Sequence, residues 1–213
     1  MEEVAGRVVR TLHGSLGAPD RVSPGCALVR LFVTMPYADL EPELRAAAST
    51  ALGGANAAPE MKCLTLLGTA GEAPHWNSRR TSAGHRALPL PSEEGIARSP
   101  MIAQLIRQLG VEAATLVAPD AAFMVDGTQH SFNVFHVRDA EGSPYIPAQE
   151  QFVVPHGIRS VIGFGGLLPS RELFAIILFS TCTIERERAD LFRTLALNAK
   201  LAILPFAGGR IFA

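Results

Sequence analysis

The C-terminal third of the chain carries the pattern that most restricts the possible folds. Two apolar segments, residues 158–167 and Leu173–Ser180, are separated only by the residues LPSRE. Segments of this length joined by so short a turn are typical of neighbouring antiparallel strands. Residues 183–204 then place Leu191 and Leu195 on one stripe of an amphipathic helix. The pattern therefore predicts a sheet that is covered by a helix.

The rest of the chain alternates between helical and extended patterns. Residues 1–16 repeat apolar side chains every four residues, and Ser99-Pro100 is a typical helix start. Asp126-Gly127 lies between two apolar runs and predicts a hairpin. The predicted helices are 1–16, 41–52, 100–110 and 183–204, the last capped by Thr183; the predicted strands are 26–34, 61–70, 123–125, 131–137, 158–167 and Leu173–Ser180, with 111–117 as a further strand or an extended connector.

These segments predict a single domain over residues 1–213, of the α/β (α+β) class. Its centre is a central antiparallel sheet of five to six strands. The N- and C-terminal helices are expected to pack together on one face, and loops with short helices are expected to cover the other. Because the apolar stripes of the terminal helices fit a helical bundle, we expect a homodimer that forms through them.

Residues 71–91 form a long polar loop with almost no apolar periodicity. Loops of this length in a compact domain are often functional. Guanidinium groups bind oxyanions through paired N–H donors, and an indole ring stacks on planar or cationic groups. We therefore expect the loop to cover a site for an anionic or planar ligand; the alternative is a solvated insertion that docks on the sheet or contacts a partner. The candidate binding residues in this loop are Trp76, Arg79, Arg80 and His85.

The last sixty residues resemble a known family. Ile158 and Ser160 begin a glycine-rich strand, Pro169 lies in the turn, residues 174–180 form a very apolar strand, and Leu195-Ala196 lie in the closing helix. This order resembles the end of a GAF domain, as found in sensory regions N-terminal to bacterial sensor histidine kinases. The resemblance implies a ligand cavity beside the sheet, walled by the connection before the glycine-rich strand, with the glycines leaving space over the cavity. It adds three candidate binding residues, Tyr145, Phe152 and His156.

The histidines and cysteines form no recognisable catalytic or metal motif. No two of the six histidines stand in an HExxH pattern, and the three cysteines form no CxxC pair. Because no nucleophile, base and orienting group can be assembled from the spacing, we expect no catalytic residue and no enzymatic activity. His136, between two apolar residues of a predicted strand, is the best single candidate for an axial haem ligand and joins the candidate binding residues.

The charge balance bears on partners and location. The chain has 19 Lys and Arg against 20 Asp and Glu, which argues against nucleic acid as a partner. It has no apolar run long enough to span a membrane and no signal peptide in MEEVAGRVVR, so we expect a cytoplasmic protein without membrane contact.

Together these observations predict a non-enzymatic sensory domain. It is expected to bind a small-molecule ligand beneath the 71–91 loop and to act through its terminal helices on a C-terminal output domain such as a histidine kinase. Neither the ligand nor a cofactor is specified by the sequence. The alternatives are a haem- or metal-based redox or gas sensor, and a dimerisation module that binds no ligand.

Overall fold

An antiparallel sheet forms the centre of the structure, a computed structural model that describes residues 1–16, 25–117, 133–207 and 211–212. Within these residues the sheet has six strands, in the order β3-β2-β1-β6-β5-β4. The strands are β1 (Cys26–Pro36), β2 (Lys62–Gly71), β3 (Ala87–Pro89), β4 (Val134–Val137), β5 (Ser160–Leu167) and β6 (Leu173–Ser180). The predicted α+β class and the six-stranded antiparallel sheet are confirmed.

Helices and short helical turns surround the sheet. The part of the chain that the structure describes contains the α-helices α1 (Glu2–Leu16), α2 (Pro42–Ala51), α3 (Glu93–Ala97), α4 (Pro100–Gln108), α5 (Ala113–Val117), α6 (Arg186–Ala189) and α7 (Phe192–Ile203). It also contains 3₁₀ turns at Tyr37–Asp39, Pro74–Asn77 and Leu204–Phe206 and a π-helical turn at Gln149–Val153. None of these helices has the length and apolar character needed to span a bilayer.

The central strands are apolar on both sides because both faces of the sheet are covered. β1 and β6 lie side by side, and Val29 of β1 is opposite Leu178 of β6. Every residue of β6 is buried. A continuous apolar run is the pattern expected of such a fully covered strand. β1 departs from it at two buried positions, the charged Arg30 and the polar Thr34.

The terminal helices cover one face of the sheet, as predicted. Ala5 and Val9 of α1 and Ala196 of α7 belong to one buried apolar cluster on this face. Gly68 of β2 allows α1 to approach closely, because a Cβ atom at this position would lie 2.6 Å from the carbonyl oxygen of Ala5. The two ends of the described chain also meet here, since the Glu2 backbone N–H donates to the Ile211 carbonyl oxygen at 2.9 Å.

The opposite face is covered by α3, α4, α5 and the connection between β4 and β5. Leu105 of α4 packs against Phe135 of β4 in the second apolar cluster. A Cβ atom at Gly163 of β5 would lie 2.8 Å from Leu105 Cδ1. Gly163 therefore lets α4 approach the sheet, and the expectation that this glycine leaves space over a ligand cavity is wrong.

The structure corrects the sequence prediction for two segments. Residues 111–117 contain the helix α5 instead of a strand, and its two alanines are strong helix formers. The single helix predicted over 183–204 is two helices, α6 and α7, and Glu185 stands at the N-cap position predicted for Thr183. The break between them is a tight turn with i→i−3 bonds, such as Arg193 N–H to the Asp190 carbonyl at 3.2 Å.

β4 belongs to the predicted hairpin. Val134 lies in the apolar cluster under the terminal helices and Phe135 in the opposite one, so successive residues of this strand face opposite sides of the sheet. The partner strand of the predicted hairpin, residues 123–125, and its Asp126-Gly127 turn lie outside the described residues.

Candidate functional site

A cavity of about 610 Å³ lies against the face of the sheet that α4 covers. Its floor is formed by β1 and β6, with Leu28, Phe32 and Ile177. Three segments enclose it: part of the 71–91 loop, the start of α4, and residues 144–156. The enclosed space has the volume typical of small-molecule sites, which is roughly 300–1,000 Å³.

Five of the eight candidate binding residues line this cavity. They are Trp76, His85, Tyr145, Phe152 and His156. The other three, Arg79, Arg80 and His136, lie outside its lining. The 71–91 loop and the connection before β5 thus converge on one space, although they are more than fifty residues apart in the chain.

Aromatic rings form one wall of the cavity. The Trp76 and His156 ring centroids lie 4.5 Å apart, and those of Phe152 and Phe179 lie 5.0 Å apart at 87°. Trp76 and Phe152 are also in edge contact, at 5.6 Å. Edge-to-face contacts of this kind are favourable and fix the orientation of the rings. The wall therefore offers a preformed apolar surface to a planar or apolar group.

Local hydrogen bonds hold Trp76 in this wall. The Pro74–Asn77 turn begins with a proline and carries the indole back over the sheet. Thr69 Oγ1 donates to the Trp76 carbonyl oxygen at 2.8 Å, and Gly71 exchanges hydrogen bonds with the Asn77 side chain at 2.9 and 3.0 Å. The end of β2 thus fixes the start of the loop.

Phe152 of this wall comes from a proline-bounded segment that ends in a π-helical turn. Ala148 adopts a left-handed conformation with φ 59° before Gln149–Val153. The Gln149 side chain donates to the carbonyl oxygens of Ile146 and Ala140, at 2.8 and 3.0 Å. These bonds satisfy carbonyl groups of the connection, and the Phe152 N–H donates to the Ala148 carbonyl oxygen at 2.8 Å within the turn that places Phe152 against the cavity.

The most unusual lining residue is Arg30, which is only 8% exposed. One terminal nitrogen of its guanidinium group donates to Ser82 Oγ at 2.8 Å and to the Ala83 carbonyl oxygen at 3.0 Å. In the described parts of the chain no carboxylate pairs with it, and its Nε has no hydrogen-bond partner. Burial without a counter-ion lowers the pKa of Arg30 to about 10.

His85 stands next to Arg30 in the cavity lining. It follows Gly84, and both residues have positive φ angles, 42° and 70°, which turn the loop sharply. The side chain borders the cavity and is exposed to solvent, although protein atoms surround part of it. The pKa of His85 is lowered, first by burial and then by the positive charge of Arg30. The neutral imidazole is therefore favoured.

Arg79 is buried on the other side of the loop, away from the cavity. Its guanidinium group pairs with two carboxylates, Glu2 at the start of α1 and Glu41 before α2, with Nη2–Oε2 distances of 3.0 and 2.7 Å. It also lies 5.0 Å from the centre of the Phe212 ring. Arg79 thus connects the loop to both ends of the described chain. Its neighbour Arg80 is exposed.

His136 faces α6 and lies outside the cavity. Its Nε2 is 2.8 Å from the Ile184 carbonyl oxygen, and its backbone N–H donates to Gln108 Oε1 at 2.9 Å. The ring nitrogen that an axial haem ligand needs is engaged with the backbone here. The geometry gives His136 a structural role between β4 and α6.

Neither the cysteines nor the potential metal ligands among the described residues form a second functional site. Burial raises the pKa of Cys26 to about 12 and that of Cys63 to about 11, so neither is a thiolate at neutral pH. Cys182 Sγ lies 3.0 Å from Ser180 Oγ. Within the described ranges, no three His, Cys, Asp or Glu side chains are grouped so that they can hold a metal ion.

The sequence interpretation overlooked Arg30, because it emphasised the arginines of the loop. The signal that was present is a single charged residue inside the apolar run CALVRLFVT. A charge in such a run must find a partner or face a cavity, because burying it alone is unfavourable.

Comparisons of the chain with known protein families, with curated proteins and with solved structures found no match.

Proposed function

We propose that this chain is a GAF-like sensory domain of a cytoplasmic bacterial signalling protein. It binds a small molecule in the cavity and regulates an output domain, such as the histidine kinase of a two-component system. The observation that carries the proposal is an aromatic-walled cavity of about 610 Å³ whose covering loop is joined directly to both ends of the described chain.

The loop supplies a physical link between the cavity and the terminal segments. On its cavity side, Ser82 and Ala83 accept hydrogen bonds from Arg30. A few residues away, Arg79 pairs with Glu2 of α1 and packs over Phe212. A ligand that moves residues 78–86 therefore changes the contacts of both ends. The ligand can shift the loop only as far as its binding free energy differs between the arrangement in the structure and an alternative one.

The last helix offers a surface for a homodimer. Leu197 and Leu201, one turn apart on α7, are 45% and 58% exposed, and Leu204 continues their stripe. Stripes of this kind pack in pairs in helical bundles. A dimer formed through α7 would bring together two copies of the helix that leads to Phe212, which Arg79 contacts.

The binding of an apolar fluorescent probe, N-phenyl-1-naphthylamine, tests the proposal. Trp76 is the only tryptophan of the chain and lies in the cavity wall, so energy transfer from it reports a bound probe, which the cavity variant below then places. We expect saturable binding of one probe per chain. Ile177→Phe places a larger side chain on the cavity floor and is expected to weaken binding at least about 10-fold, the effect of roughly 1.4 kcal/mol.

Leu201→Ser is the matched control, because it removes exposed apolar surface outside the cavity. Probe binding by this variant should equal that of the wild type, and light scattering on the same variant reports whether α7 holds two copies together. Absence of saturable binding, or equal loss in both variants, would contradict a ligand-binding cavity and leave the dimerisation module. A haem absorption band in the purified protein would favour the haem sensor, with His75, His85 and His156 as the histidines that line the cavity.

A further inference from the structure

The charged side chains around the cavity are two arginines. Arg30 and Arg98 line it together with three histidines, and no Asp or Glu of the described chain does so. The rest of the lining is mainly apolar and aromatic. An apolar cavity with positive charge and without a counter-ion is complementary to a ligand that is partly apolar and partly anionic.

Arg30 is the residue in which this charge is least compensated. It is more than nine-tenths buried, it lines the cavity, and its contacts in the described structure are with a hydroxyl and a carbonyl oxygen, which are neutral. Replacing such a charge by an apolar group would remove the cost of its burial. An arginine held in this state is therefore explained if a ligand supplies the missing negative charge.

The start of α4 adds to the positive character of the same cavity. Ser99 and Pro100 line the cavity at the N-terminus of this nine-residue helix, and the Ser99 side chain makes no capping bond. The first N–H groups of a helix lack intrahelical partners and carry a partial positive charge. This helix end thus reinforces the field that Arg30 creates.

We propose that the ligand of this cavity is an amphipathic anion, with a carboxylate or another oxyanion paired to Arg30 and an apolar or aromatic body against Trp76 and Phe152. This inference rests on the proposed function and specifies its ligand class. Charge-assisted hydrogen bonds between a guanidinium group and an oxyanion supply the pairing. An oxyanion paired to this guanidinium group lies next to Ser82 and Ala83, which accept hydrogen bonds from its Nη2, so ligand binding is joined to the position of residues 78–86.

Two probes that share an aromatic body test the ligand class. 8-Anilinonaphthalene-1-sulfonate is an anion, and N-phenyl-1-naphthylamine is the same ring system without the sulfonate. Energy transfer from Trp76 measures both affinities in the full chain. We expect the anion to bind at least about 10-fold more tightly, because a charge-assisted hydrogen bond to the sulfonate adds to the apolar contacts that the two probes share.

Variants of Arg30 assign the preference to one side chain. Arg30→Met should weaken binding of the anion about 10-fold or more and change binding of the neutral probe less than about two-fold. Arg30→Lys keeps the charge and should retain part of the preference. Arg80→Met is the matched control, because it removes an exposed arginine of the 71–91 loop outside the cavity. This variant should retain the whole preference for the anion.

The outcomes separate this inference from the proposed function. Equal affinity of the wild type for the two probes, or a preference for the anion that survives Arg30→Met, overturns the anionic ligand and leaves the binding cavity intact. Binding of neither probe overturns both. If Arg30→Met does not fold, the comparison of the two probes in the wild type and in Arg30→Lys decides.

Discussion

Arg30 and Arg79 are both more than nine-tenths buried, but their electrostatic surroundings differ. Arg79 lies in the polar segment between β2 and β3, and Arg30 of β1 donates hydrogen bonds to the same segment. Arg79 has two carboxylate partners, one at the start of α1 and one before α2. Arg30 has hydrogen bonds to neutral groups only, and it borders a cavity. The positive charge of Arg79 is thus balanced by carboxylates, whereas that of Arg30 is not balanced by its partners in the described structure.

The difference separates a structural role from a binding role. A paired guanidinium group stabilises the contact it makes, whereas a buried unpaired one lowers stability and is retained where its charge is used. Arg79 holds residues 78–86 against Glu2 of α1, Glu41 and Phe212. Arg30 donates to the same segment beside the cavity, through hydrogen bonds to neutral groups. The segment can therefore respond to a ligand without detaching from the chain ends.

The largest expected effect follows from removing the paired arginine. Arg79→Ala removes the guanidinium group that bonds both Glu2 and Glu41, and we expect the free energy of unfolding to fall by about 2–3 kcal/mol. This is below the ~3–5 kcal/mol typical of a broken buried pair, because both carboxylates are partly exposed. Urea denaturation followed by Trp76 fluorescence measures the change.

Arg80→Ala is the matched control for this experiment, because Arg80 is the exposed neighbour in the same loop. Its effect should stay within about 0.5 kcal/mol, as for most surface substitutions. If the two variants lose equal stability, the ion pairs of Arg79 contribute nothing and the contrast between the two arginines disappears.

A smaller effect is expected from removing the unpaired arginine. Arg30→Met leaves the Ser82 hydroxyl without its partner, which costs about 1 kcal/mol, but it also removes a buried charge. The two terms offset each other, so we expect the free energy of unfolding to stay within about 1 kcal/mol of the wild type. The urea midpoints of Arg30→Met and Arg79→Ala, measured side by side, give the comparison. A loss in Arg30→Met as large as that in Arg79→Ala would assign Arg30 to the fold instead of the cavity.

The long strands were predictable because their signal is local, whereas the three-residue strand β3 lies in the segment predicted as a loop. Leu173–Ser180 is an unbroken apolar run with a turn before it, and its boundaries in the structure match the prediction. The helix α5 was missed because its apolar residues also suit a strand. Such short segments are assigned by packing, here by the burial of Leu116 in the cluster around α4.

The roles of the arginines were not predictable, since they depend on contacts between distant residues. Arg79 and Arg80 are adjacent and look equivalent in the sequence, and the positions of Glu2 and Glu41, 77 and 38 residues earlier, distinguish them. The bond from Arg30 to Ser82 spans 52 residues. Tyr145, Phe152 and His156 were placed in the cavity lining through a resemblance, which carries information on how distant segments meet.

The smallest expected effect is on His85, whose pKa reports the charge of Arg30. In the folded protein this pKa is lowered, by burial first and by Arg30 second. Between the lowered value and the ordinary one, the unfolded chain binds more protons than the folded chain, so this group makes stability rise with pH and its penalty disappears above the ordinary pKa.

Arg30→Met should therefore raise the pKa of His85 toward its ordinary value without reaching it, because burial, the larger cause, remains. An NMR titration of the imidazole protons measures the shift, with Arg80→Met as the variant that should leave it unchanged. A pKa that stays the same in Arg30→Met would mean that the charge of Arg30 is already neutralised in solution. Arg30 would then resemble Arg79, and the case for an anion in the cavity would lose its electrostatic basis.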